Sequence, residues 1–334
     1  MTKISRLTLS LAALQIGIFF LALNTVSTDF SGGDLSWLHQ RLYNFWNGRG
    51  FQTSVYRLAS PISYAHDFAN HLIITPLFMA FPYKFLPNLN TFFALAIAYN
   101  LGSLFFFSRL FLGKTDAAAY IPLLFVMWGP FFKSITHQCH PILFAAPLFL
   151  ASYYFARKGA WLPFLAMVIA VSLVQDDCGL WMACYCAYFV WVEGKRNWQV
   201  VAGGIFGLAL FMVYGLYIQP SARWYADHAA SVDLVTSMNA ILVNWTPESL
   251  PWTLKYYAIF LAEMTFPALV LYAIRHQVPK RMWAFLALAP LPYWVTFLTT
   301  RAAAHHYAAI VWVLFIVMIE VEKGEIDGFA KEFE

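Results

Sequence analysis

Residues 197–222 read NWQVVAGGIFGLALFMVYGLYIQPSA, and this stretch contains no charged side chain. A helix needs about 20 apolar residues to cross the hydrocarbon core of a bilayer, so the stretch is long enough to span a membrane. The pattern recurs along the chain, with a further run over 256–274 that is interrupted only by Glu263. The other uncharged runs cover residues 7–28, 90–108, 117–132, 134–156, 159–175, 178–192, 282–300 and 302–319.

The overall composition agrees with these runs. Of 334 residues, 61% are hydrophobic and 11% are charged, and the mean hydropathy is +0.61. A soluble domain of this composition would expose a large apolar surface to water. We therefore predict an all-α integral membrane protein with about ten transmembrane helices. The net charge of +4 is scattered, without a basic stripe, which excludes nucleic acid as a partner.

Basic residues at the ends of the runs predict the orientation, because Lys and Arg beside membrane spans remain in the cytoplasm. All the clusters share the cytoplasmic side only if residues 66–86 do not complete a crossing. That stretch is short and contains Pro76 and Pro82, so we expect a re-entrant or kinked pair of half-helices. Both termini are then cytoplasmic, in what we expect to be a bacterial inner (plasma) membrane. The basic clusters are Lys3/Arg6, Arg109/Lys114, Arg157/Lys158, Lys195/Arg196 and Arg275/Lys280/Arg281.

With this orientation, residues able to do chemistry gather on the extracytoplasmic face. Ionisable residues collected on one face of a membrane protein usually act on something at that face. The alternative is that they are ordinary loop residues. The candidates are Asp34, His66, His140, Asp176, Asp177, Arg301, His305 and His306.

The first outer loop contains apolar residues at helical spacing, with Gln40 and Arg41 on the other side. This pattern predicts an amphipathic helix lying along the membrane interface. Such a helix would hold Asp34 near the headgroups, where a lipid-linked substrate presents its phosphate. The apolar positions are Leu35, Leu38, Leu42, Phe45 and Trp46.

Several short motifs occur in order over roughly residues 1–195, and together they resemble the membrane protein family catalogued as domain of unknown function 2079. They are Gly-Gly-Asp-Leu (32–35), His66-Asp67-Phe68, Pro76-Leu77-Phe78, His140-Pro141 followed by Pro147, and Gln175-Asp176-Asp177. We expect one polytopic membrane domain over 1–334. Its family-like core covers about 1–195, and residues 196–334 add further spans and a C-terminal tail.

That family in turn resembles the GT-C superfamily of polytopic glycosyltransferases, which use polyprenyl-phosphate sugars and an acidic residue in the first extracytoplasmic loop. The resemblance implies that Asp34 is the catalytic residue. It places His66 and His140 at the family's histidine positions. The family's Lys-Glu-Asp is here Gln-Asp-Asp, with Gln175 in place of the lysine. This chain must then present another cation to the donor phosphate.

Sugar transfer from a lipid phosphate needs a carboxylate that accepts the proton of an acceptor hydroxyl, and cations that stabilise the departing phosphate. Asp34 fits the first role, and His66, Arg301, His305 and His306 fit the second. Asp176 and Asp177 could hold a divalent cation. The expected partners are a polyprenyl-phosphate-linked sugar and membrane lipid.

Other interpretations stay open. Asp34 could cap a helix that begins near Leu35, and Asp176–Asp177 could be a solvated turn. A transporter or flippase of a lipid-linked substrate would explain the broken segment 66–86 and the mid-span Glu263. A non-catalytic subunit of a membrane complex would explain a chain with no soluble domain.

Overall fold

The computed structural model describes residues 33–49, 72–88, 144–175, 177–218, 250–273 and 275–292, and the single residues 90, 91, 94, 95, 98, 99, 247, 313, 316, 317 and 320. Regular structure in this part of the chain is helical, and these residues contain no strand. The predicted all-α fold is therefore confirmed for the described residues.

Three of the described helices, Trp161–Ser172, Cys178–Trp191 and Trp198–Val213, lie wholly within uncharged runs of the sequence. A 3-10 helix spans Phe81–Lys84, and a π-helical turn spans Tyr214–Ile218. The α-helices are α1 (Gly33–Trp46), α2 (Thr75–Met79), α3 (Ala145–Arg157), α4 (Trp161–Ser172), α5 (Cys178–Trp191), α6 (Trp198–Val213), α7 (Leu250–Ala273) and α8 (Lys280–Leu288).

Among the described helices, only Trp198–Ile218 has both the length, 21 residues, and the apolar composition that a membrane crossing needs. Helices α4 and α5 are apolar but contain 12 and 14 residues. At about 1.5 Å per residue they are roughly 18 and 21 Å long. A hydrocarbon core is about 30 Å thick, so their regular parts are shorter than a full span. About ten transmembrane helices remain a prediction.

The predicted break near residues 66–86 is present in its described part. Helix α2 and the 3-10 helix are separated by Ala80, and Pro76 and Pro82 are the second residues of the two helical pieces, within the first turn of each. Proline suits that place because the N–H it lacks has no partner inside a helix. The described residues 72–88 therefore contain two short helical pieces and not one continuous helix, and we call this stretch the kinked segment. Residues 66–71 lie outside the described residues, and the membrane position of the segment remains a prediction.

Helix α1 forms where the sequence predicts it, but protein covers its apolar face. Leu38 and Leu42 are buried in the core. Trp46 Nε1 donates a hydrogen bond to the backbone oxygen of Leu77 at 3.2 Å. Arg41, expected on the polar side, is also fully buried. The face that would have entered the membrane interface is therefore occupied by contacts within the protein.

Helices α3, α5 and α8 pack around an aromatic core. The ring centroids of Phe149 and Trp181 are 4.6 Å apart, and those of Phe149 and Tyr185 are 4.9 Å apart. Phe285 of α8 contacts Tyr188 of α5 at 5.0 Å. Aromatic pairs at such distances add to the stabilisation from buried area. From the C-terminal part, Val313, Ile316 and Val317 join the same core.

Helices α5 and α6 pack backbone against backbone through glycines. A Cβ atom added to Gly179 would lie 2.6 Å from the carbonyl oxygen of Gly207. A Cβ at Gly204 would lie 3.1 Å from the Cβ of Cys186. Small residues that let helix backbones approach closely are typical of helix pairs in membranes. The two helices therefore depend on glycine at their contact.

The opposite face of α6 is apolar and exposed. Its residues recur every three or four positions, so they form one stripe along the helix. The inward face carries Val200, Gly203 and Gly207, which are buried. The exposed stripe consists of Trp198, Val201, Ile205, Leu208 and Met212, with exposed fractions from 37% to 64%.

Candidate functional site

The structure describes two of the predicted site residues. Asp34 lies in the first turn of α1, and Asp177 immediately precedes α5. The other six lie outside the described residues, and their roles remain predictions. They are His66, His140, Asp176, Arg301, His305 and His306.

Although those six are not described, several chain segments that flank them are, and these segments meet. The residues directly before α2 dock onto the end of α4. The backbone N–H groups of Ile74 and Thr75 donate to the carbonyl oxygen of Leu173 at 2.9 and 3.0 Å. The Thr75 hydroxyl donates to the carbonyl of Ala170 at 2.6 Å. The segment that follows His66 therefore lies beside the turn that carries Asp177.

The start of α3 belongs to the same region. The Tyr99 hydroxyl donates to the backbone oxygen of Met79 at 2.8 Å. The Tyr99 ring is 5.9 Å from the ring of Phe144, the residue before α3. Phe144 follows the His140-Pro141 motif closely in the chain. We call this region, where the segment 72–88, Phe144 and the turn before α5 meet, the Asp177 end of the bundle.

Helix α1 is attached to the Asp177 end through the kinked segment. Besides the Trp46 bond to Leu77, the Tyr83 hydroxyl lies 2.8 Å from Nε2 of His39. Tyr83 is fully buried. Burial lowers the pKa of His39, so the neutral imidazole is favoured in this contact. The helix that carries Asp34 is therefore held against the same end of the bundle.

The turn before α5 is packed against protein. Gln175 is 1% exposed, and among the described residues its Oε1 atom has no hydrogen-bond partner. The Oδ1 atom of Asp177 is buried, and its side chain makes no capping bond to α5. Asp177 as a whole is half-buried and Asp176 lies outside the described residues, so the solvated turn at Asp176–Asp177 remains an alternative prediction. A neutral amide suits the position of Gln175, because a lysine there would need a counter-charge to offset its desolvation.

The most extensive polar arrangement among the described residues lies at the other end of α5. We call it the charge cluster, and it consists of Arg157, Glu193, Arg281 and Glu320. Arg157 contacts Glu193 through two N–O distances of 3.2 Å. Its Nε lies 3.3 Å from Glu320. Arg281 Nη2 lies 2.9 Å from Glu320, and its Nη1 lies 3.6 Å from Glu193.

Two tyrosine hydroxyls complete the cluster. Tyr153 donates to Glu320 Oε1 at 2.8 Å and accepts hydrogen bonds from Arg157 at 2.7 and 2.9 Å. Tyr188 donates to Glu193 Oε1 at 2.7 Å. Hydrogen bonds of this kind satisfy carboxylate lone pairs that burial removes from water. The cluster joins the ends of α3 and α5 to α8 and to the helical residue 320.

Burial and the neighbouring charges shift the pKa of Glu193 in opposite directions. Burial alone would raise its pKa. Hydrogen bonds from Tyr188 and Arg157, and the positive charges of Arg157 and Arg281, outweigh burial and lower it. Glu193 is therefore ionised at neutral pH and carries a negative charge opposite Arg157 and Arg281.

Two glycines position the cluster. Gly159 has φ of 68°. Its N–H donates to the carbonyl of Ala156 at 3.1 Å, and the N–H of Ala160 donates to that of Phe155 at 2.9 Å. This is a Schellman motif, which ends α3 directly after Arg157. Gly194, with φ of 65°, turns the chain directly after Glu193.

The charge cluster is not predicted by the sequence patterns described above, in which Arg157 and Arg281 indicate only the orientation of the chain. The available signal was that Glu193 closes the uncharged run 178–192 and Glu320 closes the run 302–319, both on the side predicted for those arginines. Carboxylates that end apolar runs beside basic residues of the same side are candidates for ion pairs.

The two ends of α5 differ in what they can do chemically. The charge cluster pairs its two arginines with its two glutamates, and these contacts connect the ends of the helices that carry them. Helix α5 has 14 residues, which separates the cluster from Asp177 by roughly 20 Å. Within the described ranges, no three His, Cys, Asp or Glu side chains are grouped so that they could hold a metal ion. A cation at Asp176 and Asp177 remains a prediction.

Comparisons of the chain with protein-family models, with curated proteins and with solved structures found no match.

Proposed function

We propose that this chain is a membrane glycosyltransferase of the GT-C type, which transfers a sugar from a polyprenyl-phosphate donor to an acceptor outside the cytoplasm. One observation carries the proposal. The segments next to the predicted site residues meet at the Asp177 end of the bundle. These segments are α1, the segment 72–88, Phe144 and the turn before α5. Residues from distant parts of the sequence are thereby available to one site.

The membrane placement with about ten spans belongs to the same proposal. It is supported by the exposed apolar stripe of α6, which in water would be an unfavourable surface. It is also supported by the glycine contact between α5 and α6. Arg157 and Arg281 meet at the Glu193 end of α5, so basic residues share one end, as a cytoplasmic face requires. The Asp177 end then faces outward, and both termini are cytoplasmic.

In the proposed reaction, the oxygen of an acceptor hydroxyl attacks the anomeric carbon of the donor sugar. The bond between that carbon and the phosphate oxygen breaks, and polyprenyl phosphate leaves. The Asp34 carboxylate accepts the hydroxyl proton. His66, His140, Arg301, His305 and His306 bind the donor and stabilise the charge on the departing phosphate, with Asp176 and Asp177 beside them.

The test is Asp34→Asn in the full chain, reconstituted in lipid nanodiscs. Mass spectrometry would follow the cleavage of a panel of polyprenyl-phosphate sugars. Asparagine keeps the size of the side chain but cannot accept the proton, so we expect the rate to fall by roughly 100-fold or more while the protein stays folded. Unchanged cleavage would remove Asp34 from the catalytic role. Transport of uncleaved donor by the unmodified protein would favour the transporter instead.

A further inference from the structure

The outward side of the kinked segment carries a patch of large apolar side chains. We call Phe78, Phe81, Phe85 and Leu86 the aromatic patch. Their exposed fractions are 59%, 47%, 68% and 63%. The inward side of the same segment is apolar as well, and it is buried. Its residues are Ile73, Leu77, Ala80 and Tyr83.

A segment that is apolar on both its inward and its outward side is not built for contact with water. Surface helices of soluble domains pair one apolar face with a polar one, whereas helical segments that are apolar all round lie in a protein core or a membrane. The inward side already packs on the protein. The exposed aromatic side therefore points to apolar surroundings outside the protein.

Two exposed cations lie on the segments that carry and hold the patch. Lys84 lies within it and is exposed. Arg49 is also exposed, with its guanidinium carbon 5.9 Å from the centroid of the Tyr43 ring. The sequence contains no Asp or Glu from residue 68 to residue 115. Lysine can extend an apolar stem along lipid and place its charge at the phosphate level, so this combination matches anionic headgroups.

The patch is firmly attached to α1. The rings of Phe45 and Phe78 are 5.6 Å apart, those of Trp46 and Phe81 are 5.1 Å apart, and those of Phe81 and Phe85 are 5.4 Å apart. All three pairs are edge-to-face, the geometry that aromatic pairs prefer. The aromatic patch is therefore packed directly against the helix that carries Asp34.

We propose that the aromatic patch inserts into the lipid of the leaflet at the Asp177 end, with Lys84 on the headgroups of anionic phospholipids. This contact replaces the one predicted for the apolar face of α1, since Leu38 and Leu42 are buried in protein. It fixes the depth of Asp34 relative to the headgroups. The inference rests on the membrane placement proposed above, and it adds which surface meets the lipid and which lipid it selects.

The first test places the photo-crosslinking residue p-benzoyl-phenylalanine at Phe85, at Phe81 or at Ile205 of the full chain in phospholipid nanodiscs. Intact-protein mass spectrometry then detects a covalent phospholipid adduct. Ile205 lies on the exposed stripe of α6 and tests membrane placement alone. We expect adducts at all three positions. An adduct at Ile205 with none at Phe81 or Phe85 would overturn the patch proposal only, and no adduct at any position would overturn the membrane placement too.

The second test uses nanodiscs of mixed phosphatidylglycerol and phosphatidylcholine. A single basic residue near the surface should enrich the anionic lipid among Phe85 adducts by roughly fivefold over its mole fraction. Lys84→Gln should remove that enrichment. Lys158→Gln, which changes another exposed lysine at the Glu193 end, should leave it unchanged. Enrichment that persists in Lys84→Gln, or that is absent from the start, would overturn the assignment of Lys84 to anionic lipid.

Discussion

The guanidinium group of Arg157 and the carboxylate of Glu193 face each other in a two-point contact, with both N–O distances at 3.2 Å. The contact joins the last residue of α3 to the loop after α5. The exposed fractions of the two side chains are 19% and 9%, so water could replace few of the hydrogen bonds that either side chain would lose if its partner were removed. Arginine suits such a place because its planar fork matches both carboxylate oxygens.

Glu193→Ala should destabilise the protein by roughly 2–4 kcal/mol, because it leaves the largely buried Arg157 with fewer counter-charges. Thermal unfolding in detergent would measure the change. Lys158→Gln is the control, since that neighbouring lysine is exposed and should contribute less than about 0.5 kcal/mol. Equal effects of the two substitutions would contradict the structural role of the cluster.

The charge cluster should make stability fall in acid. The folded state lowers the pKa of Glu193 below its ordinary value of 4.5. The unfolded chain therefore takes up a proton first as pH falls, and the contribution of Glu193 to stability, complete above pH 4.5, is lost as pH falls through the folded pKa. Melting temperatures measured from pH 7 to pH 3.5 would show this decline. Glu193→Gln should lower stability at pH 7 and flatten the decline, and an unaltered acid profile in that variant would assign the decline to other groups.

The glycine contact between α5 and α6 predicts that a Gly→Ala substitution lowers the stability of the protein at Gly179 but not at Gly215. Gly179→Ala places a Cβ atom 2.6 Å from the carbonyl oxygen of Gly207, so α5 and α6 must separate, at a cost of about 1–3 kcal/mol. At Gly215 nothing lies within 4 Å of an added Cβ. Gly215→Ala should therefore be neutral or stabilise by up to about 1 kcal/mol, because alanine favours helix. Thermal unfolding of both variants would test the contact, and a stable Gly179→Ala protein would exclude it.

The proposed topology predicts the location of reporter fusions. Fusions after Lys158 and Lys195 should report the cytoplasm, because both lysines adjoin the charge cluster in sequence, and a fusion after Lys114 should agree with them. A paired alkaline phosphatase and fluorescent protein assay in bacteria would measure this. Extracytoplasmic signal at all three positions would place the Asp177 end in the cytoplasm and contradict the proposed reaction.

Helical periodicity and proline chemistry explain most of what could be predicted. The apolar spacing from Leu35 to Trp46 predicts α1, and Pro76 with Pro82 predicts the kink, because both depend on local backbone rules. The surroundings of α1 could not be predicted in the same way. An apolar face packs equally well on lipid or on protein, so the burial of Leu38 and Leu42 depends on which segments lie nearby.

The helical class, the ends of the apolar runs and the break at Ala80 can be predicted from local sequence, since they depend on residues near one another in the chain. The meeting of Arg157, Glu193, Arg281 and Glu320 cannot be predicted in this way, and neither can the burial of Gln175. The same holds for the gathering of α1, the segment 72–88 and the start of α3 at the Asp177 end. These contacts join residues that are distant in the chain. Their partners depend on how the helices pack, which no local pattern specifies.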